Sequence, residues 1–418
     1  MLSVRKNLVI KSKSYHKGFN TRISYDYIIK KIKNRFFLPQ FLRTIKKFGI
    51  SAFSGGNKVT LITDGDLFFD ELFKTVDSAR HSINLETYIF NSDDIGWKLA
   101  KKLAAKAKKD IEVNVIYDAI GCINTSALLF EYMKKMGVEL IEYHPIVPWR
   151  KYFNLYVRDH RKLMVVDSKI AFIGGTNIGN EYAGKKYRGK NWRDTHIKIE
   201  GPVVKDIEYF FLENWHRHGG ALVDISKYFP VIKPVGDTIV MALSSHSRRR
   251  IKPIYLTYLA AIANARNYIY ITNAYFIPDM RIVKSLIHAA KKGVDVRILL
   301  PAISDIPFVQ HASRYLYKRF LKNNVRIYEY KHAVLHAKTA VIDDIWATVG
   351  SSNLDRRSFT ANLEVNAIIL DQSFGEKMRK QFLKDIRNSE EIHLENYKRR
   401  PFIQYLKEWF CYRFRYLL

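Results

Sequence analysis

Along the chain, apolar residues at helical spacing give way repeatedly to short unbroken apolar runs, and the whole progression is written twice. The stretch Leu72–Phe90 reads as an amphipathic helix leading into a buried strand, and Leu259–Phe276 reads the same way. A Lys-rich helix and another strand follow in each copy: Trp97–Lys109 into Ile111–Tyr117, and Arg281–Lys292 into Val294–Leu300. A third unit runs Ala127–Met136 into Val138–Tyr143, matched by Arg314–Leu321 into Val325–Tyr330. Gly137 and Gly293 stand where glycine ends a helix. The offset between copies is about 180 residues, far beyond a solenoid's period, so a whole α/β unit is duplicated. A stretch rich in Pro, Gly and polar residues, 219–250, is expected to link the halves 51–218 and 251–390. A basic extension, 1–50, and an aromatic tail, 391–418, flank them.

Each copy then reaches the same constellation. In the first it is His160-Arg-Lys162, Asp167, and Asn177 behind Gly174-Gly-Thr. In the second it is His336-Ala-Lys338, Asp343, and Asn353 behind Gly350-Ser-Ser. From each His, the Lys, Asp and Asn follow at 2, 7 and 17 residues in both copies. The β-branched run after each Lys predicts a strand, and residues i and i+2 of a strand share a face, so His and Lys point together. A turn at the Asp and a returning strand bring the Asn back to the His–Lys end. Such residues suit a phosphate: Lys supplies point charge to the non-bridging oxygens, and Asn and Ser donate neutral hydrogen bonds. Histidine can attack phosphorus or protonate a leaving oxygen. A single His beside a Lys on a strand is commonplace; two copies at equal spacing point to one site shared by two halves. No Gly-x4-Gly-Lys-[Ser/Thr] loop is present, which argues against nucleotide hydrolysis by that route.

The pattern H-x-K-x4-D followed by G-x2-N resembles the phospholipase D superfamily, over about residues 57–386. The resemblance implies an α/β protein of two duplicated α/β/α sandwich domains with pseudo-twofold symmetry and one active site at their interface. It also implies a phosphohistidine intermediate, with no cofactor and no metal. In that superfamily an acidic residue orients each His through its other ring nitrogen. Glu364 stands at that place in the second half, and Asp194 in the first, after a Lys- and Gly-rich insertion at 184–190. The implied site is therefore His160, Lys162, Asn177, Asp194, His336, Lys338, Asn353 and Glu364. Asp167 and Asp343 belong to the motif but are expected to orient the hairpins rather than touch phosphate. The text around the motifs, at Ile173–Tyr182, Trp192–His196, Gly201–Val203 and Ala347–Phe359, is similar to bacterial cardiolipin synthases of the short type, without N-terminal transmembrane helices. That likeness implies phosphatidyl transfer between two phosphatidylglycerol molecules with release of glycerol, His160 attacking and His336 protonating.

Charge refines the choice of partner. The chain holds 70 Lys and Arg against 40 Asp and Glu, a net +30, which calls for a polyanion. Residues 1–50 carry 13 bases and one acid, Asp26, and residues 396–418 carry six bases and one acid, Glu408, so much of the excess sits at the ends. Phe41, Leu42, Ile45 and Phe48, and likewise Phe402, Leu406, Trp409, Phe410, Phe414 and Leu417, recur at helical spacing among those bases. Basic amphipathic helices with aromatic residues suit an anionic headgroup layer. No run of about 18 apolar residues predicts a transmembrane helix. The two cysteines, Cys122 and Cys411, form no C-x-x-C pair and suggest a reducing compartment. The expectation is a peripheral enzyme on the cytoplasmic face of a bacterial inner membrane, with phosphatidylglycerol rather than nucleic acid as partner and the oligomeric state open. A hydrolytic phospholipase D and a nuclease of the same superfamily remain the alternatives on chemistry alone.

Overall fold

In the first half the predicted strands form as β1 (Ser54–Ile62), β2 (Ser82–Thr87), β3 (Glu112–Asp118), β4 (Glu139–Tyr143), β5 (Leu163–Val166), β6 (Ile170–Gly174) and β7 (His196–Glu200). The second half repeats them as β8 (Thr238–Ser245), β9 (Tyr268–Asn273), β10 (Asp295–Pro301), β11 (Arg326–Tyr330), β12 (Lys338–Ile342), β13 (Trp346–Gly350) and β14 (Glu364–Leu370), with β15 (Ser389–Ile392) added at the edge. These come from a computed structural model that describes residues 22–32, 37–50, 53–221, 223, 228–245 and 252–415.

The strand order is β15-β11-β10-β9-β12-β13-β14-β8-β1-β7-β6-β5-β2-β3-β4. Read outward from the middle, both halves run through the same sequence of strands, which is the duplication expressed as topology. The three outer strands β2, β3 and β4 are parallel, as are β9, β10 and β11, while the hairpins β5–β6 and β12–β13 are antiparallel. Strands β1 and β8 join the half-sheets edge to edge, with a register shift between Ser54 and Asn57. Helices Gly65–Ser78, Asp94–Ala107 and Ala127–Lys135 bury one face against the first half-sheet through Phe69, Leu72, Leu99, Leu103 and Met133. Helices Pro253–Asn264 and Met280–Lys291 do the same in the second half through Tyr258, Ile262, Ile282 and Leu286. A third core draws on both halves, with Ile173, Ile197, Val349 and Val365 meeting Trp215, Phe374 and Phe382. That shared core fixes the angle at which the two His–Lys segments face each other.

Two boundary expectations change. The stretch 219–250 is not wholly a linker, because Thr238–Ser245 is β8, paired to β14 on one side and β1 on the other. Residues 1–50 are not wholly an extension either. Phe41, Leu42 and Ile45, on helix Phe37–Lys47, are buried in the second-half core, where Phe41 meets the Trp346 ring at 6.5 Å, and Phe48 packs against the same core. Their stripe is a core stripe, so it is unavailable to a membrane. Residues 1–21 and 33–36, which carry much of that segment's charge, lie outside the described residues.

Candidate active site

The two His–Lys segments approach from opposite halves, and each pairs its backbone with the segment bearing the other half's acid. His160 N donates to Leu363 O (3.0 Å), and Leu363 N to Arg158 O (2.9 Å). His336 N donates to Arg193 O (2.8 Å), and Arg193 N to Val334 O (2.9 Å). The side chains follow this crossing. His160 Nδ1 lies 3.0 Å from Glu364 Oε2, and His336 Nδ1 lies 2.7 Å from Asp194 Oδ2. The repeat places each acid with the histidine of its own half, but each reaches the histidine of the other. The crossing follows from position: Glu364 opens β14 and Asp194 lies two residues before β7, and both strands contact the partner half. Arg193 reinforces it through a cross-half ion pair with Asp385 (2.6 Å).

With Nδ1 held, Nε2 of each imidazole is left for chemistry. Lys162 Nζ donates to His160 O (2.8 Å), and Lys338 Nζ to His336 O, so both ammonium groups are folded back beside their histidines. Asn177 Nδ2 donates to Tyr182 OH (2.5 Å), whose ring packs edge-on to His336 at 5.5 Å. Asn353 is buried, and its Oδ1 has no hydrogen-bond partner among the described residues. Gly175 is required by this packing, since a Cβ there would stand 2.2 Å from Asp194 Oδ1. Asp167 and Asp343 lie outside the constellation. Asp167 accepts from the N–H groups of Arg80, His81 and Ser82, and Asp343 from those of Arg266, Asn267 and Tyr268. Both sit in left-handed turns (φ 52° and 53°) that close the two hairpins.

Burial sets the electrostatics. It pushes Lys162 down to about 7 and Lys338 down to about 8, against the pull of nearby carboxylates. His160 is held well below its ordinary range, by burial first and then by Lys162 and Lys338. His336 is lowered by burial and Lys338, with Asp194 and Asp305 opposing. The two acids differ. Burial drives Glu364 up to about 8 although Lys162 opposes it. For Asp194, burial is outweighed by His336 and Lys338, and its carboxyl ends below the ordinary range. Four crowded bases beside one firmly ionised acid are built to receive an anion.

A family profile described as "Cardiolipin synthase, PLD-like domain" matches residues 72–209 and 258–386, one match per half. The chain is 35% identical to a cardiolipin synthase of Geobacillus kaustophilus over 86% of its own length and 72% of that protein's. It is also 35% identical to cardiolipin synthase 2 of Staphylococcus epidermidis, over 84% and 72% respectively. The chain belongs to the cardiolipin synthase family. It is thereby a phosphatidyltransferase of the phospholipase D superfamily, and the two-half fold agrees. Among solved structures, the phosphatidylserine synthase of Haemophilus influenzae superposes with a TM-score of 0.71, covering 90% of this chain and 99% of that one at 13% identity. At that identity the likeness speaks for the fold alone. Among the described residues, no helix is long and apolar enough to cross a membrane.

Residues outside the repeated motif also line the site. Tyr88 packs edge-on to His160 at 5.1 Å, with Lys162 Nζ 5.2 Å from its ring centre. Tyr275 repeats the arrangement 6.4 Å from His336, under Lys338. Tyr88 stands one residue beyond β2 and Tyr275 two residues beyond β9, so the repeat does not align them and its spacing gave no signal. Ser351 Oγ donates to Glu364 Oε2 (2.5 Å).

Proposed function

We propose that this chain joins two phosphatidylglycerol molecules into cardiolipin through a phosphohistidine on His160, releasing glycerol. The reading rests on the crossed histidine pair, each imidazole oriented through Nδ1 by a buried acid of the opposite half. His160 Nε2 attacks phosphorus, the bond to the glycerol oxygen breaks, and protonated His336 gives that oxygen its proton. Neutral His336 then takes the proton of a hydroxyl on the second phosphatidylglycerol. The freed oxygen attacks phosphorus, and the phosphorus–nitrogen bond to His160 breaks. The division of labour is supported by charge. Burial lowers both rings, but Asp194 and Asp305 oppose that at His336 while the cations around His160 add to it, so the proton is held more readily on His336 and His160 is left the neutral nucleophile. On phosphatidylglycerol liposomes the purified protein is expected to yield cardiolipin and glycerol together. Phosphatidic acid alone would indicate hydrolysis, and cleavage of DNA without any lipid product would indicate a nuclease.

The C-terminal helix supports action at a membrane surface. On helix Phe402–Arg413, Phe402 is 72% exposed, Ile403 62%, Phe410 52% and Trp409 46%. Exposed Lys398, Arg399, Lys407 and Arg413 surround them. The opposite face is anchored, with Glu408 accepting from Arg400 and Tyr397, and Cys411 packing beside Ile277 and Val309. Tyr275 packs against that same cluster, so the helix borders the site. Leu417 lies outside the described residues. Cys122 and Cys411 are unpaired, which suits the cytoplasmic face. Replacing Trp409 and Phe410 together with Ala is expected to weaken binding to anionic vesicles by about tenfold or more, measured by sedimentation. Both side chains are largely exposed, so the thermal midpoint should hold.

A further inference from the structure

The two halves break their symmetry at one charged position beside the site. Four residues after the motif asparagine, the first half has Glu181 and the second has Arg357. Glu181 is occupied locally, accepting from Asn91 Nδ2 (3.1 Å) and lying 3.8 Å from Lys190 Nζ. Arg357 is underused. One terminal nitrogen donates to Tyr156 O (3.2 Å), and the guanidinium lies 5.9 Å from the Tyr156 ring centre. Its Nε is buried without a hydrogen-bond partner. A guanidinium with a buried, unmade donor is an incomplete anion site.

Its surroundings indicate which anion. Arg357 O accepts from Asn362 N (3.0 Å), and the next residue, Leu363, accepts from His160 N, so Arg357 lies on the His160 side of the site. The loop it touches exposes Trp149, Leu155 and Tyr156, with Leu155 54% and Tyr156 53% exposed. A cation beside exposed apolar side chains suits a phosphodiester that carries acyl chains. On the His336 side the corresponding charge is negative: Asp305 accepts from Tyr275 OH (2.5 Å). Once the first lipid's phosphate is on histidine, its diacylglycerol carries no further charge and can lie beside Asp305. The second lipid brings its own phosphate, a glycerol's length from the attacking hydroxyl, and would be repelled there.

We infer that Arg357 holds the phosphodiester of the acceptor phospholipid, making a subsite that selects a lipid alcohol over water or a simple alcohol. The inference rests on the transferase reading above. Wild type and the Arg357→Gln and Arg357→Lys variants would be given phosphatidylglycerol liposomes with ethanol present, and cardiolipin and phosphatidylethanol measured together. Ethanol needs no anion subsite, so its product reports on folding and on the donor half-reaction. In Arg357→Gln the ratio of cardiolipin to phosphatidylethanol is expected to fall by about tenfold or more, with partial recovery in Arg357→Lys. Parallel loss of both products, or an unchanged ratio, would overturn the assignment. A wild type that makes phosphatidylethanol but no cardiolipin would overturn the transferase reading and this subsite together, and the wild-type sample alone reveals that case.

Discussion

His160→Ala is expected to lower phosphatidyl transfer by about 10,000-fold or more, as loss of a nucleophile does when the remaining groups only bind and polarise. His336→Ala should be nearly as damaging with phosphatidylglycerol, because glycerol is a poor leaving group without a proton. The two variants separate when the leaving group needs no acid. With a phosphatidyl p-nitrophenol ester, His336→Ala should still release a burst of nitrophenol and trap a phosphohistidine on the protein, while His160→Ala should do neither. A burst from His160→Ala and none from His336→Ala would reverse the assignment. The expectation is asymmetric because the site is. His160 is flanked by Lys162 and Lys338, and His336 by ionised Asp194 and by Asp305.

The duplicated topology and the His, Lys and Asn positions were legible because spacing alone carries them. A strand that puts i and i+2 on one face, and a hairpin that returns an Asn at 17 residues, leave little freedom. The crossing of the acids was hidden for a physical reason. Asp194 and Glu364 stand at equivalent places in a symmetric pair, and alignment cannot say whether an acid at an interface turns inward or across. The stripe of Phe41, Leu42 and Ile45 misled because a helix facing a core and a helix facing lipid share one apolar period. Only the exposure of Phe402 and Trp409, against the complete burial of Phe41, tells them apart. Strand β8 was obscured by the turn-rich text before it. Arg357 went unread because its importance lies in the donor it leaves unmade, which is a property of packing.

The crossed acids should not be interchangeable, and that gives the second large effect. Asp194 sits below the ordinary carboxylate range, so it is charged at every working pH. Asp194→Asn removes a negative charge 2.7 Å from His336 Nδ1, and with it the stabilisation of the imidazolium that protonates glycerol. A loss in kcat of about 10,000-fold is expected, in line with replacing the carboxylate behind a catalytic histidine. Glu364, pushed up to about 8, is mostly protonated below that pH in the free enzyme. Glu364→Gln therefore replaces a largely neutral group with a neutral one of the same shape and keeps an oxygen facing His160 Nδ1. Its cost should be modest, about tenfold, below pH 8, and should grow above it as the native carboxyl ionises and the amide cannot. The check is the ratio of variant to wild-type kcat from pH 6 to about 9. A flat and equal loss in both variants would mean that the acids serve only as hydrogen-bonding props. A large loss confined to Glu364→Gln would place the imidazolium on His160 and invert the direction of transfer across the interface.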